Sequence, residues 1–341
     1  MTPDEAATDP KPAAHPKPAA DPEMAARLKL AARLDDRSDL PEPNEGSSRW
    51  REARLYLPDD ELREALRVAV ILGRPLLLTG DPGSGKTTAA YWAAQRMGLR
   101  WGDFISETVR SDATAARLRY EFDAVRYFRD AQASVAQPGA WKGDRSEYLR
   151  HGPLWKAFEG ARRAPTALLL DEIDKAPRDL PNDLLEEFDA YRFEVPELPE
   201  DHADRVIDAR ASGANGSVAL VVFTSNGERQ LPDAFLRRCV HHHVGFNREL
   251  LVKIFERRIA AGDLKLDRGL VDLALDRFAQ LQQLNGLRHR PGLAELLLWA
   301  RMIGLTEGIG HSKLQGVRLG ELPYLGTLIK DAKDRTLVGA V

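Results

Sequence analysis

One octapeptide constrains this chain more than anything else in it. Gly80-Asp81-Pro82-Gly83-Ser84-Gly85-Lys86-Thr87 matches the pattern G-x-x-x-x-G-K-[ST]. It follows a short apolar run, Leu76-Leu77-Leu78, and precedes a helical stretch that starts at Lys86. In a strand–turn–helix context the glycines let successive backbone N–H groups curl around a phosphate. The helix adds the positive end of its dipole to the same anion. The pattern sends Lys86 to the β- and γ-phosphates of a nucleotide and the Thr87 hydroxyl to Mg2+. Gly80, Asp81, Pro82, Gly83, Ser84, Gly85 and Thr88 complete the expected cradle.

A phosphate turn of this kind needs a sheet behind it. Besides residues 76–78, short runs that are apolar on both faces occur at Phe104 to Glu107, Ala167 to Leu170, Val218 to Phe223 and Val240 to Val244. Helical segments separate them. Parallel strands buried under helices on both sides have this signature, so the expected class is α/β with a five-stranded, mainly parallel sheet sandwiched by helices. Asp59 or Asp60 caps a helix running to about Leu72. After Gly245 the strand signal stops. Residues 247–262, 267–285 and 291–303 have helical pattern, which reads as a small α-helical domain. Residues 304–341 are weakly patterned.

The third apolar strand, Leu168-Leu169-Leu170, ends in Asp171-Glu172. Ligands collect at the carboxyl ends of parallel strands. Asp171 is therefore expected at the Mg2+ beside Thr87, and Glu172 at a water poised for in-line attack on a γ-phosphate. An acid capping a helix is the plain alternative for Asp171. The pairing favours hydrolysis over simple phosphotransfer, and no Asn-Lys-x-Asp guanine-reading motif is present. The fourth strand ends in Ser225-Asn226, whose amide can hold the water or a γ-phosphate oxygen; a turn residue before Gly227 is the alternative. Arg237 and Arg238 follow shortly on a helix, a source for an arginine that neutralises charge on a transferring phosphoryl group; a surface ion pair is the alternative for either, and the favoured one for Arg237.

Composition bounds the rest. The 341 residues carry 49 basic and 52 acidic side chains, a net charge of −3. That balance argues against a protein that blankets nucleic acid or an anionic membrane. A single cysteine, Cys239, excludes an intrachain disulfide and fits a reducing, cytoplasmic setting. No apolar run reaches the length of a membrane span. Residues 1–22 are nearly all Pro, Ala, Asp, Lys and Thr and read as disordered. Met24 to Leu34 can form a short helix on Leu28, Leu30 and Leu34, and residues 35–48 return to linker composition. The expected organisation is a leader and linker over 1–46, a nucleotide-binding core over 47–245, and a helical lid with tail over 246–341.

These elements in this order resemble the AAA+ ATPases, specifically the MoxR-like branch. The residues that carry the resemblance are GDPGSGKT (80–87), GPLWKAF (152–158), LLLDEIDKAP (168–177), FTSN (223–226), LPDAFLRR (231–238) and RPGLAELLLWAR (290–301). The resemblance implies ATP and Mg2+ as ligands and an ATPase that remodels a partner protein. It implies self-association into a hexameric ring with ATP between subunits. Arg238 is then given in trans as a finger, with Cys239 in place of the family's usual Phe. Arg290 acts from the lid, with Arg288 as the alternative, and adenine packs near Tyr56 and Leu57. A partner with a von Willebrand factor A domain is also implied. Thr108-Val109-Arg110-Ser111-Asp112 departs from the aromatic-apolar-Gly loop of peptide-threading relatives. Residues 112–151 have room for the branch's helix-2 insert, and 193–217 for a hairpin. The alternatives to a remodelling ATPase are a nucleotide-loaded switch with little turnover and a DNA-acting motor.

Two tempting features have plain explanations. His241-His242-His243 lie on a strand, so neighbours point to opposite faces and cannot converge on one metal ion. Trp92, Trp155 and Trp299 sit among apolar residues and are expected in the core.

Overall fold

The structure is a computed structural model that describes residues 22–136, 143–209 and 218–340. Nine strands are described: β1 (Leu76–Thr79), β2 (Phe104–Thr108), β3 (Tyr120–Phe122), β4 (Leu149–His151), β5 (Thr166–Asp171), β6 (Arg192–Glu194), β7 (Val206–Asp208), β8 (Val218–Ser225) and β9 (Val240–His243). The first helices are α1 (Pro22–Arg33), α2 (Ser48–Ala53), α3 (Asp60–Leu72) and α4 (Lys86–Arg96). They are followed by α5 (Ala115–Arg119), α6 (Ala124–Ala136), α7 (Pro153–Ala161), α8 (Leu180–Asp183), α9 (Leu185–Ala190) and α10 (Asp233–Leu236). The C-terminal helices are α11 (Arg248–Ala260), α12 (Arg268–Gln283), α13 (Leu293–Leu305), α14 (His311–Leu314), α15 (Leu325–Leu328) and α16 (Ala332–Gly339).

The five strands expected from apolar runs form one sheet in the order β2-β5-β8-β1-β9, and every neighbouring pair is parallel. Their side chains alternate between two cores. Leu168, Leu170, Val221 and Phe223 pack under α7 with Trp155 and Phe158. Ala167, Leu169, Leu220 and Val222 pack on the other face with Trp92 of α4 and Leu66 of α3. Both faces are covered, which is why these strands show no polar alternation. Asp59, rather than Asp60, caps α3 by accepting the Leu62 N–H.

Two antiparallel pairs decorate the sheet. β3 pairs with β4 inside the 112–151 stretch, with α6 between them in sequence. β6 pairs with β7 as a hairpin within 192–208, just before β8. Beyond β9 a third core forms from α11, α12 and α13, with Trp299 fully buried in it. The lid extends into the stretch that showed little pattern. Leu314, Leu319, Leu322, Leu328, Ile329 and Val338 join its core, and the Trp299 indole donates to the Pro323 carbonyl at 2.7 Å. No described helix is long and apolar enough to cross a membrane.

The N-terminal segment corrects the expected organisation. Residues 1–21 lie outside the described residues, but the leader does not continue to residue 46. α1 docks on α3 through Leu30 and Ala31, with Leu34 buried just past its end, while Leu28 faces solvent. The buried set is 27, 30, 31 and 34, one helical stripe. Arg27 donates to the Val70 carbonyl at 3.2 Å, and Arg63 to the Leu34 carbonyl at 2.7 Å. Composition missed this because long arginine stems pack as apolar groups while their heads satisfy backbone carbonyls. The segment after α1 is tied down as well, by Arg96, which donates to the Ser38 carbonyl and pairs with Asp36 at 3.3 Å. Leu34→Ala is expected to cost about 2–5 kcal/mol in urea unfolding, the range for a buried leucine. A change within about 0.5 kcal/mol would return this segment to the class of solvated leaders.

Candidate nucleotide site

The parallel register builds the site. β1 ends at Thr79, which pairs with Ser225 on β8 and with His243 on β9. Asp171 lies one position beyond the Leu170–Phe223 pair of β5 and β8. The phosphate turn, the acid pair and Asn226 therefore leave the sheet at the same edge, although Thr87 and Asp171 are 84 positions apart and Asp174 and Asn226 are 52.

The turn takes a backbone path that its glycines permit. Gly83 and Gly85 have φ of +76° and +100°, a region that costs L side chains about 1–2 kcal/mol. A Cβ on Gly85 would also stand 3.1 Å from the Tyr56 ring. Lys86 opens α4 and is buried, its ammonium donating to the Gly80 and Asp81 carbonyls at 2.7 and 2.8 Å. Burial pushes that ammonium below its ordinary pKa, while the acids around it, Asp171 foremost, pull the other way. The Ser84 hydroxyl is buried with no hydrogen-bond partner. An unpartnered hydroxyl and a buried cation inside a glycine turn fit an anionic ligand at this position.

Asp171 is only 7% exposed. It accepts from the Thr87 hydroxyl at 2.9 and 3.1 Å and from the Thr224 hydroxyl at 2.5 Å. The Thr224 hydroxyl in turn accepts the Glu172 N–H at 2.9 Å. Glu172 adopts a left-handed conformation with φ of +61°, so this bond helps hold a strained residue at the edge of the sheet. The Glu172 carboxylate accepts from Lys175 Nζ at 2.8 Å, which raises the lysine pKa. Thr87 and Asp171 thus present adjacent hard oxygens, a donor set that suits Mg2+. Asn226 is partly buried, and its backbone N–H donates to Asp174 Oδ2 at 3.0 Å.

The lid closes over the turn. The Ala294 N–H of α13 donates to the Gly83 carbonyl at 3.1 Å, and a Cβ on Gly292 would meet the Pro82 carbonyl at 2.7 Å. Glu295 accepts the Gly292 N–H at 3.0 Å and pairs with Lys330 at 2.5 Å. Arg290 is exposed two residues before Gly292. Arg288 is exposed too, and its N–H donates to the buried carboxylate of Asp334, as does that of His289. Tyr56 and Leu57 line a cavity of about 280 Å³ with Trp92, Asn247 and Leu250. Burial pushes the Tyr56 phenol well above its ordinary pKa. Arg238 is half-exposed and bonds to Asp189 at 3.0 Å and to the Ala234 carbonyl at 3.3 Å.

Thr224, Asp174, Lys175 and Glu295 were not singled out from the sequence. The first three carry a weak signal, being polar residues within two or three positions of Glu172 or Asn226. Thr224 becomes meaningful only once the β5–β8 register is known. His241 and His243 both reach the Thr79 hydroxyl, whereas His242 is buried on the other face near Asp59. Among the described residues no three His, Cys, Asp or Glu side chains gather as a metal site.

A phosphate turn at the carboxyl edge of a parallel sheet, faced by an acid pair, defines a P-loop nucleotide-binding protein. Residues 76–248, about half of the chain, match the family described as ATPase family associated with various cellular activities (AAA), and the chain belongs to that family. It is thereby an ATP-binding AAA+ protein. No curated protein matches the sequence. A solved structure of a candidate ATPase from Cytophaga hutchinsonii ATCC 33406 is 14% identical with a TM-score of 0.38, over 83% of this chain and 80% of that one. At that distance the likeness carries no argument.

Thr224→Val conserves shape but leaves the Glu172 N–H without its acceptor and removes a donor from Asp171. The expected loss is about 1–3 kcal/mol in denaturant unfolding. An unchanged midpoint would show that these two bonds hold nothing in place.

Proposed function

We propose that this protein is an Mg2+-dependent ATPase of the MoxR-like branch that works as a chaperone-like remodeller of a partner protein. The observation that carries the proposal is the hub at Asp171, which accepts from both Thr87 and Thr224 with Glu172 as its neighbour. The backbone of residues 80–85, with Lys86, Thr87 and Thr88, binds the phosphates. Adenine enters the cavity beside Tyr56 and Leu57. Thr87 and Asp171 hold Mg2+, which when bound neutralises charge on the phosphates. Glu172 takes a proton from water as the water oxygen bonds to the γ-phosphorus. The bond from phosphorus to the β,γ-bridging oxygen breaks, leaving ADP and phosphate. Asn226 orients the water, and Arg238 reaches the site of a neighbouring subunit. Arg290, or Arg288, answers the γ-phosphate from the lid.

Two further proposals rest on the branch resemblance, a hexameric ring and a partner bearing a von Willebrand factor A domain; work in the cytoplasm rests on the single cysteine, Cys239. The Lys175 ion pair favours one alternative, a nucleotide-loaded switch in which Glu172 stays restrained and turnover is negligible. Single-turnover assays at high protein concentration separate the two.

Glu172→Gln is expected to lower ATP turnover by about 10²–10⁴-fold, the usual contribution of a general base, while calorimetry still records ATP uptake. Lys86→Ala is expected to lose that uptake. Normal turnover in Glu172→Gln would remove Glu172 as the base. A wild-type protein that takes up no ATP would overturn the proposal altogether.

A further inference from the structure

The loop that presents Asn226 has an anchor of its own. Asp174 lies in the single turn Ile173–Lys175 that follows Glu172, and it is only 2% exposed. Its Oδ2 accepts two backbone N–H groups from that loop, those of Asn226 and Glu228, both at 3.0 Å. Its Oδ1 is buried without a hydrogen-bond partner. A carboxylate in such a place is costly, and leaving one oxygen bare makes it more so. An apolar side chain would pack the turn at less expense if packing were the only requirement. What an apolar residue cannot do is grip two peptide groups of another element through charge-assisted bonds.

The turn on which Asp174 sits is closed tightly. The Lys175 N–H donates to the Glu172 carbonyl at 3.0 Å, and the Ala176 N–H to the Ile173 carbonyl at 3.1 Å. Glu172 and Asp174 are therefore held in one closed turn. On the far side, the Glu172 N–H reaches Thr224 and the Gly227 N–H reaches Ser225 Oγ. Three bonds to backbone N–H groups thus lace the acid turn to the end of β8 and the loop beyond it, two of them on one oxygen of Asp174, and the Arg229 guanidinium of that loop adds donations to the Lys175 and Ala176 carbonyls.

We propose that Asp174 is a positioning residue that fixes the Asn226 peptide to the Glu172 turn, so that the amide and the base meet the attacking water in one rigid relation. The inference rests on the ATPase reading above. Displacements of about 1 Å in such a constellation cost on the order of 10²-fold in rate.

Two measurements on the full chain test it. Hydrogen exchange over residues 226–228 is expected to speed up in Asp174→Ala. It is expected to stay near wild type in Asp174→Asn, whose amide oxygen still accepts both N–H groups. ATP turnover in Asp174→Ala is expected to fall about 10- to 100-fold with KM within about threefold, and Asp174→Asn to restore most of it. In an Asn226→Ala background the same Asp174→Ala change is expected to cost little more, because its effect runs through Asn226. Unchanged exchange in Asp174→Ala overturns the anchor. Full additivity with Asn226→Ala, or an Asp174→Asn variant as impaired as Asp174→Ala, overturns the positioning role. Should the wild type not hydrolyse ATP, the underlying reading fails by itself, and exchange still decides whether Asp174 holds the loop.

Discussion

The Asp171 carboxylate is the point on which the rest of the site depends. It is buried at the end of a central strand, where an unpartnered anion is expensive. Two hydroxyls meet that requirement, Thr87 from the helix after the phosphate turn and Thr224 from the neighbouring strand. Satisfying one buried charge thereby pins three separate chain segments together. The same Thr224 hydroxyl steadies Glu172 in its left-handed conformation, so the strain at the acid pair is held by a bond made for the acid beside it.

The N-terminal segment is fastened by arginines as well as by the apolar side chains it adds to the core, Leu30, Ala31, Leu34 and Trp50 among them. Arg27, Arg33, Arg63, Arg96 and Arg257 each donate to a backbone carbonyl, and every one of these bonds joins the 22–54 segment to the core or the lid. Exposed ion pairs on this surface, such as Arg37 with Asp60, add little by comparison, because water screens them. A buried guanidinium on a carbonyl is different, since either group alone would lose its hydration. Arg257 belongs to α11, so the N-terminal segment touches the lid as well as the core.

The lid meets the phosphate turn through backbone, at Ala294 and Gly83, and not through either candidate arginine. Glu295 stands at this contact with its charge shared between Lys330 and the Gly292 N–H. Asp334 near the C-terminus fixes the 288–289 backbone from behind. Residues beyond 304 therefore help set the shape of the lid edge nearest the nucleotide site.

Much of this was legible in the order of residues along the chain. The octapeptide, the apolar strands and the acids at their ends are local patterns, because their physics is local: glycines for a tight turn, doubly buried strands without alternation, carboxylates at strand ends. The five sheet strands and the three lid helices α11, α12 and α13 fall where those patterns place them. Other features could not be read this way. That α1 is a docked helix depends on which carbonyls its arginines meet. That Thr224 and Asp174 matter depends on a strand register joining residues about fifty positions apart. Composition and periodicity record what each segment can bury, but only the packed tertiary structure decides which distant group satisfies a buried charge, since that pairing is a property of two surfaces and not of either sequence.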